Sequence, residues 1–169
     1  MPSTAEADPP RFIEIDGRRW RATDPSIPEA FRAELVDELM RARRAVGALR
    51  RAGDDDGLGA ARRQVHAAKV ALGERGDPWW GPPSEAGQRE RIDAAIVTLA
   101  GHRSPDGSIC PSDAARAIGG SGWRSLVPQV RDAARALARE GAVQITQGGD
   151  RLDPDGDWKG PIRIRLAPG

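Results

Sequence analysis

Several residue types are scarce in this chain of 169 residues, and each scarcity removes a class of protein. A single cysteine, Cys110, excludes an internal disulfide framework. The amino-terminal segment MPSTAEADPPR lacks the apolar core of a signal peptide. No stretch approaches about 20 consecutive apolar residues, so a transmembrane helix is not expected. We therefore expect a soluble, cytoplasmic protein without a membrane partner.

The chain also lacks an excess of either charge. It has 26 Lys and Arg against 25 Asp and Glu, which gives a net charge of +1. A dedicated nucleic-acid binder usually has a basic excess or one concentrated basic face, so any basic face here must be local. With 38% apolar and 30% charged residues the composition is polar but globular, and the length suits one medium domain or two small ones.

The first half of the chain predicts a β-hairpin followed by a long helix. Residues 1–11 are proline-rich and polar, which is typical of a disordered tail. The segment FIEIDGRRWRA places Asp16-Gly17, a favoured tight-turn dipeptide, between two short strands. The spacing of Ser26 and Glu29 predicts a capping box at the start of a helix over about 27–52.

Two apolar seams with helical spacing follow each other along this half. The first helix carries Phe31, Leu35, Leu39, Ala42, Val46 and Leu49. After a break at GDDDG, residues 53–57, the second carries Leu58, Ala61, Val65, Ala68 and Leu72. Such seams on either side of a short loop predict an antiparallel helical hairpin with coiled-coil-like packing. We assign the β-hairpin and the helical hairpin to one domain, residues 12–75.

A stretch rich in glycine and proline, GDPWWGPPSEAGQ, ends the helical pattern. It predicts a linker over residues 76–84, with Trp79 and Trp80 docked against one of the two domains. The second domain then covers residues 85–169.

The second domain has the element order of a winged helix-turn-helix. Helices are predicted over about 85–101, 111–118 and 124–140, with an extended piece at 108–110, Gly119 closing the middle helix and Ser125 capping the last. The stretches AVQITQ and GPIRIRL alternate as strands, and a loop over residues 148–160 joins them. The predicted fold class is therefore mainly α with small β-hairpins: an N-terminal β-hairpin plus antiparallel helical hairpin, then a C-terminal winged helix-turn-helix.

Two stretches resemble known families. The region SICPSDAARAIG…GWRSLVPQVRDAARALAREGAVQITQ…GPIRIRL resembles a bacterial winged-helix family of unknown function, marked by I-C-P-S-[ED] and W-R-x-L-[MV]-P-x-V-R. The region IDGRRWRATDPSIPEAFRAELVDELM…AKVALGERGDPWW resembles a domain often fused ahead of it, in proteins sometimes labelled biopolymer transporter Tol. The winged-helix family tends to have a basic residue directly after the T-Q that ends its strand, where this chain has Gly148. The resemblance implies the fold and assigns no activity.

Cys110 stands immediately before a predicted helix, where a thiol can be an activated nucleophile. Activation requires a nearby base and an orienting group, and the two histidines, His66 and His102, fall on other predicted helices. The structural interpretation is a buried, unreactive thiol with Pro111 in the first helical position and Asp113 favouring the helix dipole. We predict no catalytic residues and no enzymatic activity.

Acidic residues recur in the loop that joins the last two strands: Asp150, Asp153, Asp155 and Asp157. A calcium-binding EF-hand loop starting at Asp153 requires glycine at its sixth position and glutamate at its twelfth, where this chain has Trp158 and Ile164. Because Asp, Pro and Gly also mark turns, we predict no metal site and no cofactor.

Arginines on the last predicted helix give the sharpest functional hint. Arg131, Arg135 and Arg139 lie opposite its apolar face, with Arg124 ahead of them on the same side. A recognition helix presents such donors to phosphates and base edges. The predicted nucleic-acid-binding residues are Arg124, Gln129, Arg131 and Arg135 on the helix, and Arg151 and Lys159 in the wing. The alternative is an ordinary solvated face whose charge is reduced by Asp132 and Glu140.

Two functions follow from these patterns. The first is a non-enzymatic winged-helix protein that binds double-stranded DNA weakly or takes part in transcription-related regulation. The alternative is a protein–protein interaction module on the same fold, without nucleic acid. The helical hairpin then either packs on the winged helix or forms a homodimer through Leu35, Leu39, Leu58 and Val65.

Overall fold

The computed structural model describes residues 7–169, which contain five α-helices and two small antiparallel sheets. The helices are α1 (Glu29–Ala52), α2 (Asp55–Ala71), α3 (Glu85–Arg103), α4 (Pro111–Ile118) and α5 (Trp123–Arg139). The strands are β1 (Phe12–Ile15), β2 (Arg18–Arg21), β3 (Val143–Gln147), β4 (Asp150–Arg151) and β5 (Arg163–Leu166). The predicted class, mainly α with small β-hairpins, is confirmed. Residues 1–6 of the predicted disordered tail lie outside the described residues.

The predicted N-terminal β-hairpin is confirmed, and it lies outside the core. Asp16 and Gly17 form its turn with φ of 51° and 74°. Two successive positive φ angles match the right-handed twist of the flanking strands, and glycine adopts them at no steric cost. All of β1 is exposed, and only Arg21 of β2 is even partly buried.

The predicted capping box at Ser26 and Glu29 is wrong. Helix α1 begins after Pro28, with no side-chain hydrogen bond at its N-cap. The backbone N–H and the hydroxyl of Ser26 both donate to Oδ1 of Asp24, at 2.9 and 2.7 Å. Asp24 thus forms an Asx turn that occupies Ser26 before the helix starts.

The connection between α1 and α2 is shorter than the predicted five-residue break. Gly53 adopts a left-handed conformation (φ 69°) that ends α1, as glycine commonly does at a helix C-terminus. Asp54 then caps α2 by accepting a hydrogen bond from the Gly57 N–H at 2.9 Å. Two residues therefore separate the helices, which pack against each other as the predicted hairpin.

One hydrophobic core includes residues of both predicted domains. Leu35 of α1, Leu72 directly after α2 and Ile96 of α3 are fully buried in the same cluster as the apolar face of α5. Helix α3 packs against α1, α2, α4, α5 and β5. Leu35 and Leu39 are therefore covered within the chain and are not available to a homodimer. The domain boundary at 76–84 stays a prediction.

Charged groups join α1 to the second half at the rim of this core. Arg103 of α3 donates to both carboxylate oxygens of Glu34, at 3.1 and 3.0 Å, and to Asp113 of α4 at 3.1 Å. The hydrogen bonds that Arg103 donates to Glu34 raise the pKa of its guanidinium above the usual value. Arg91 donates to the buried Asp24 at 2.8 Å. These charge-assisted bonds fix the orientation of α3 relative to α1.

The two tryptophans of the predicted linker pack against the β-hairpin. The indole N–H of Trp79 donates to the Ala22 carbonyl at 2.9 Å. The ring of Trp80 meets the ring of Phe12 edge-on, with centroids 5.4 Å apart. Arg21 donates to the Gly76 carbonyl at 2.8 Å. The segment before α3 is thus attached to the hairpin rather than free in solvent.

Asp77 closes this segment and gives a testable pH dependence. Its Oδ2 accepts from both the hydroxyl and the backbone N–H of Ser84, the N-cap of α3, at 2.7 Å each. These bonds hold the pKa of Asp77 below its ordinary value of 3.8. A depressed carboxylate pKa stabilises the fold at neutral pH, and this stabilisation is lost as the pH falls through the folded-state pKa.

Asp77→Asn is therefore expected to lower the melting temperature at pH 7. As the pH falls through the folded-state pKa of Asp77, the wild-type carboxylate takes up a proton, so the difference between the two proteins is expected to shrink. Circular dichroism melts over a series of decreasing pH values measure this difference. A difference that stays constant over the whole series would show that the charge of Asp77 makes no contribution.

The second half contains α3, α4, α5 and the sheet β4-β3-β5. The predicted extended piece before α4 pairs with β5, because Ile109 and Ile164 exchange backbone hydrogen bonds of 2.8 and 2.7 Å. The prediction that Ser125 is the N-cap of α5 is wrong. The helix begins after Gly122, and the Ser125 hydroxyl donates to the Gly122 carbonyl at 2.8 Å. None of the helices in residues 7–169 is long and apolar enough to cross a membrane.

Candidate nucleic-acid interface

Helix α5 follows α4 through a turn that requires glycine. A Cβ on Gly119 would lie 2.6 Å from the Ala115 carbonyl oxygen and 2.7 Å from Cα of Trp123, which is closer than real Cβ contacts. The two helices therefore approach each other at a point that no side chain can occupy. The buried face of α5 is the predicted one and consists of Leu126, Val130, Ala133, Ala134 and Leu137.

The arginines opposite that face bind a loop of the same chain. We call residues 152–162, which connect β4 to β5, the return loop. Arg131 donates to the Gly160 carbonyl at 3.1 Å. Arg135 donates to the Gly156 carbonyl at 2.8 Å and also to the Pro154 carbonyl. Two of the four arginines of α5 thus attach the return loop to this helix.

An ion pair and an aromatic ring complete this attachment. Arg139 donates to Oδ1 of Asp155 at 2.6 Å. The guanidinium groups of Arg135 and Arg131 lie 4.1 and 5.3 Å from the ring centroid of Trp158, within the range of cation–π attraction. Trp158 also packs against the core and donates to the Asp153 carbonyl at 3.0 Å.

Gln147, at the end of β3, holds the other end of the return loop. Its amide donates to the carbonyls of Lys159 and Pro161, at 2.6 and 2.9 Å. The sequence did not indicate that Gln147 and Trp158 hold the loop in place. For Trp158 a signal was available, because it is a tryptophan in an otherwise polar run of Asp, Pro and Gly.

A tight turn forms the tip of the sheet beside this loop. Gly148 and Gly149 join β3 to β4 with φ of 59° and 88°, the conformation of a type I′ hairpin turn. Arg151 pairs with Thr146 just behind that turn. The glycines that stand where the resembled family tends to have a basic residue are therefore needed for the turn.

The six predicted nucleic-acid-binding residues fall into two groups. Arg131 and Arg135 are half-buried and bound to the return loop. The others are exposed: Arg124, Gln129, Arg151 and Lys159. The guanidinium of Arg124 lies 4.5 Å from the ring centroid of Trp123, at the N-terminal end of α5. Exposed carboxylates lie in this loop and on the elements next to it, namely Asp153, Asp155 and Asp157 in the loop, Asp150 in β4 and Asp132 on α5.

Cys110 is half-buried, whereas the sequence predicted a buried thiol. Its sulfur lies 2.8 Å from the Ser112 hydroxyl, and its backbone N–H donates to Asp113 at 3.0 Å. Both histidines are engaged elsewhere: His66 with Glu90, and His102 with Asp37, each at 3.1 Å. In residues 7–169 no three His, Cys, Asp or Glu side chains are arranged to hold a metal ion.

Residues 89–167 match the model of a family described as a protein of unknown function, DUF3253. The match covers just under half of the chain, from the second turn of α3 to the residue after β5. It includes all six predicted nucleic-acid-binding residues and leaves the β-hairpin and the helical hairpin outside. No curated protein is similar enough to the chain to count as a match.

Proposed function

We propose that residues 85–169 form a winged helix-turn-helix domain that binds double-stranded DNA. The order of α3, the strand pairing at Ile109, α4, a tight turn, α5 and the sheet supports this fold. In this arrangement α5 is the recognition helix. The wing consists of the Gly148-Gly149 turn, β4 and the return loop.

The observation that carries the proposal is that the polar residues of α5 differ in their contacts along the helix. Arg131, Arg135 and Arg139 hold the return loop beside the helix, while Arg124 and Gln129 at its N-terminal end stay exposed. In helix-turn-helix proteins the N-terminal residues of the recognition helix contact base edges. Because the wing is held against the same helix, it can contact the adjacent DNA phosphate backbone without the entropic cost of ordering a free loop.

Each exposed group has a chemical role in this arrangement. The planar guanidinium of Arg124 suits two parallel hydrogen bonds, either to a phosphate or to O6 and N7 of guanine. The amide of Gln129 can both donate and accept, as recognition of adenine through N6 and N7 requires. Arg151 and Lys159 neutralise phosphates, which positions the domain without reading sequence.

The test is the salt dependence of binding to a random DNA duplex, measured by fluorescence anisotropy. Wild type is expected to bind at micromolar concentration in about 50 mM salt, and more weakly at about 200 mM. Arg124→Ala and Arg151→Ala are each expected to reduce the log–log salt slope by about one, if each cation neutralises one phosphate.

Arg32→Ala, an exposed arginine of α1, is the matched control and is expected to leave the slope unchanged. Gln129→Ala is expected to change sequence preference more than salt dependence. The proposal fails if wild type does not bind at low salt, or if the control lowers the slope as much as Arg124→Ala does.

A protein-interaction module without nucleic acid is the second candidate. The acidic groups of the wing favour it, because Asp150, Asp153 and Asp157 are exposed there and repel a phosphate backbone. Wild-type protein that is folded and does not bind DNA at low salt would favour this candidate over the first.

A further inference from the structure

Exposed apolar side chains are concentrated at one place, next to the N-terminal β-hairpin. Within residues 7–169, five large apolar side chains are exposed, and they are Phe12, Ile13, Ile15, Trp20 and Met40. The first four belong to the hairpin, and Met40 lies on the α1 surface that faces it. Contiguous exposed apolar groups on a soluble protein mark binding sites more often than scattered ones do.

Four of these side chains line a cleft between the hairpin and the helical hairpin. They are Ile13, Ile15, Trp20 and Met40. Because Ile13 pairs with Trp20 and Ile15 with Arg18, the three apolar residues of the hairpin share one face of the two-stranded sheet with Arg18. That face is opposed by Leu39 and Met40 of α1 across a cleft of about 450 Å³. This volume lies within the range of small-molecule sites in proteins.

Cations converge on the same cleft and outnumber its acids. Five of them line it: Arg18, Arg21, Arg43, Lys69 and Arg75. The acids are Asp16 and Glu74, and Glu74 already accepts a hydrogen bond from the Thr23 hydroxyl at 2.9 Å. Among the described residues, no carboxylate lies within ion-pair distance of Arg18, Arg43 or Lys69.

Lys69 is the cation of the cleft whose surroundings most clearly favour a bound anion. Its ammonium lies 5.3 Å from the ring centroid of Trp20, inside the cleft. Burial lowers the pKa of Lys69 below its ordinary value, the charges of Arg75 and Arg43 lower it further, and the nearby carboxylate of Glu74 offsets part of this. An anion bound between Lys69 and Arg43 would offset both the burial and the mutual repulsion of these cations.

We propose that this cleft binds a small amphipathic carboxylate, an apolar chain or ring that carries one negative charge. The apolar part lies against Ile13, Ile15, Trp20 and Met40, which the ligand removes from water. The carboxylate lies between Lys69 and Arg43 and accepts hydrogen bonds from both side chains. The inference concerns the N-terminal half and does not depend on DNA binding by α5.

The experiment is a calorimetric titration of the full chain with decanoate below its micellar concentration. Decanol and decylammonium have the same chain length and carry no charge or a positive charge. Decanoate is expected to bind to a single site, decanol at least about tenfold more weakly, and decylammonium not at all. Equal binding of decanol and decanoate would overturn the role of the cations, and no binding of decanoate would overturn the site.

Variants then locate the site. Lys69→Gln and Arg43→Gln are each expected to weaken decanoate binding about tenfold, because each removes one charge-assisted interaction. Arg44→Gln is the matched control: it removes the neighbouring arginine of α1, which does not line the cleft. The proposal is wrong if Arg44→Gln weakens binding as much as Arg43→Gln does. Circular dichroism melts of each variant establish that the proteins compared are folded.

A second measurement uses wild type alone, so it stands even where a variant fails to fold. The chain has two lysines, Lys69 in the cleft and the exposed Lys159. Acetylation of amines, followed by mass spectrometry, is expected to slow at Lys69 when decanoate is present and to continue unchanged at Lys159. Equal protection of both lysines, or of neither, would contradict a site in the cleft.

Discussion

Leu39→Asp is expected to unfold the protein, or to leave it with a broad, low-temperature transition. Leu39 is 4% exposed and belongs to the core cluster that α1 shares with α3. A carboxylate at this buried position loses most of its hydration, and the deleted leucine leaves unfilled volume. The expected cost is about 4 kcal/mol or more, a large part of the stability of a typical domain.

The measurement is urea unfolding followed by circular dichroism, with Ala33→Asp as control. Ala33 lies on the same helix and is exposed, so the same substitution there is expected to change stability by less than about 0.5 kcal/mol. Equal stabilities of Leu39→Asp and wild type would mean that the seam of the helical hairpin is not buried. An intact second half with an unfolded first half would instead mean that the two halves do not share one cooperative core.

The double substitution Arg131→Ala/Arg135→Ala is expected to release the return loop from α5. It removes three charge-assisted hydrogen bonds to carbonyls of that loop and two guanidinium groups beside Trp158. Because these side chains are only half-buried, we expect a loss of about 2 kcal/mol rather than the sum of the separate bonds. The local effect is expected to exceed the global one, because all the bonds that are lost lie between α5 and the return loop.

Hydrogen exchange read by mass spectrometry measures this release. Amides of residues 152–162 are expected to exchange faster in the double variant, while those of α1 and α2 change little. Arg139→Ala is the control, since its ion pair with Asp155 is exposed on both sides and is worth little. If the double variant exchanges like Arg139→Ala, the arginines are not what holds the loop, and a direct role of Arg131 and Arg135 on DNA regains its place.

Periodic features of the sequence predicted the secondary structure well. The bounds of α4, 111–118, are those that Pro111 and Gly119 indicated, and the buried face of α5 is the one that its apolar spacing predicted. The alternation in AVQITQ likewise buries Val143 and Ile145. Such features are local, because a helix or strand repeats its burial every few residues.

The errors arose where two local partners competed for one group. Ser26 had the spacing of a cap, but Asp24 offers it a closer acceptor, so the hydroxyl does not reach α1. Ser125 had a proline at a suitable distance, but the 3₁₀ turn over Gly120–Gly122 leads directly into α5, so that its N-cap is Gly122, three residues before Ser125. Sequence spacing lists the possible partners and does not rank them.

The largest gap concerns groups that meet across long sequence separations. The arginine row on α5 was evident from the sequence, whereas its binding to carbonyls 19 to 29 residues away was not. A backbone carbonyl carries no identity in the sequence, so nothing there distinguishes an arginine that awaits DNA from one that holds a loop. The cationic cleft at Lys69 is hidden for the same reason, because three separate segments contribute to it.

The most direct test of DNA binding by α5 is a map of amide chemical-shift changes on addition of a DNA duplex to isotope-labelled protein. The account predicts that the changes concentrate at the N-terminal end of α5, around Arg124 and Gln129, and at the turn from Gly148 to Arg151. Helices α1 and α2 are expected to stay unchanged. Changes confined to the helical hairpin, or no changes at low salt, would contradict it.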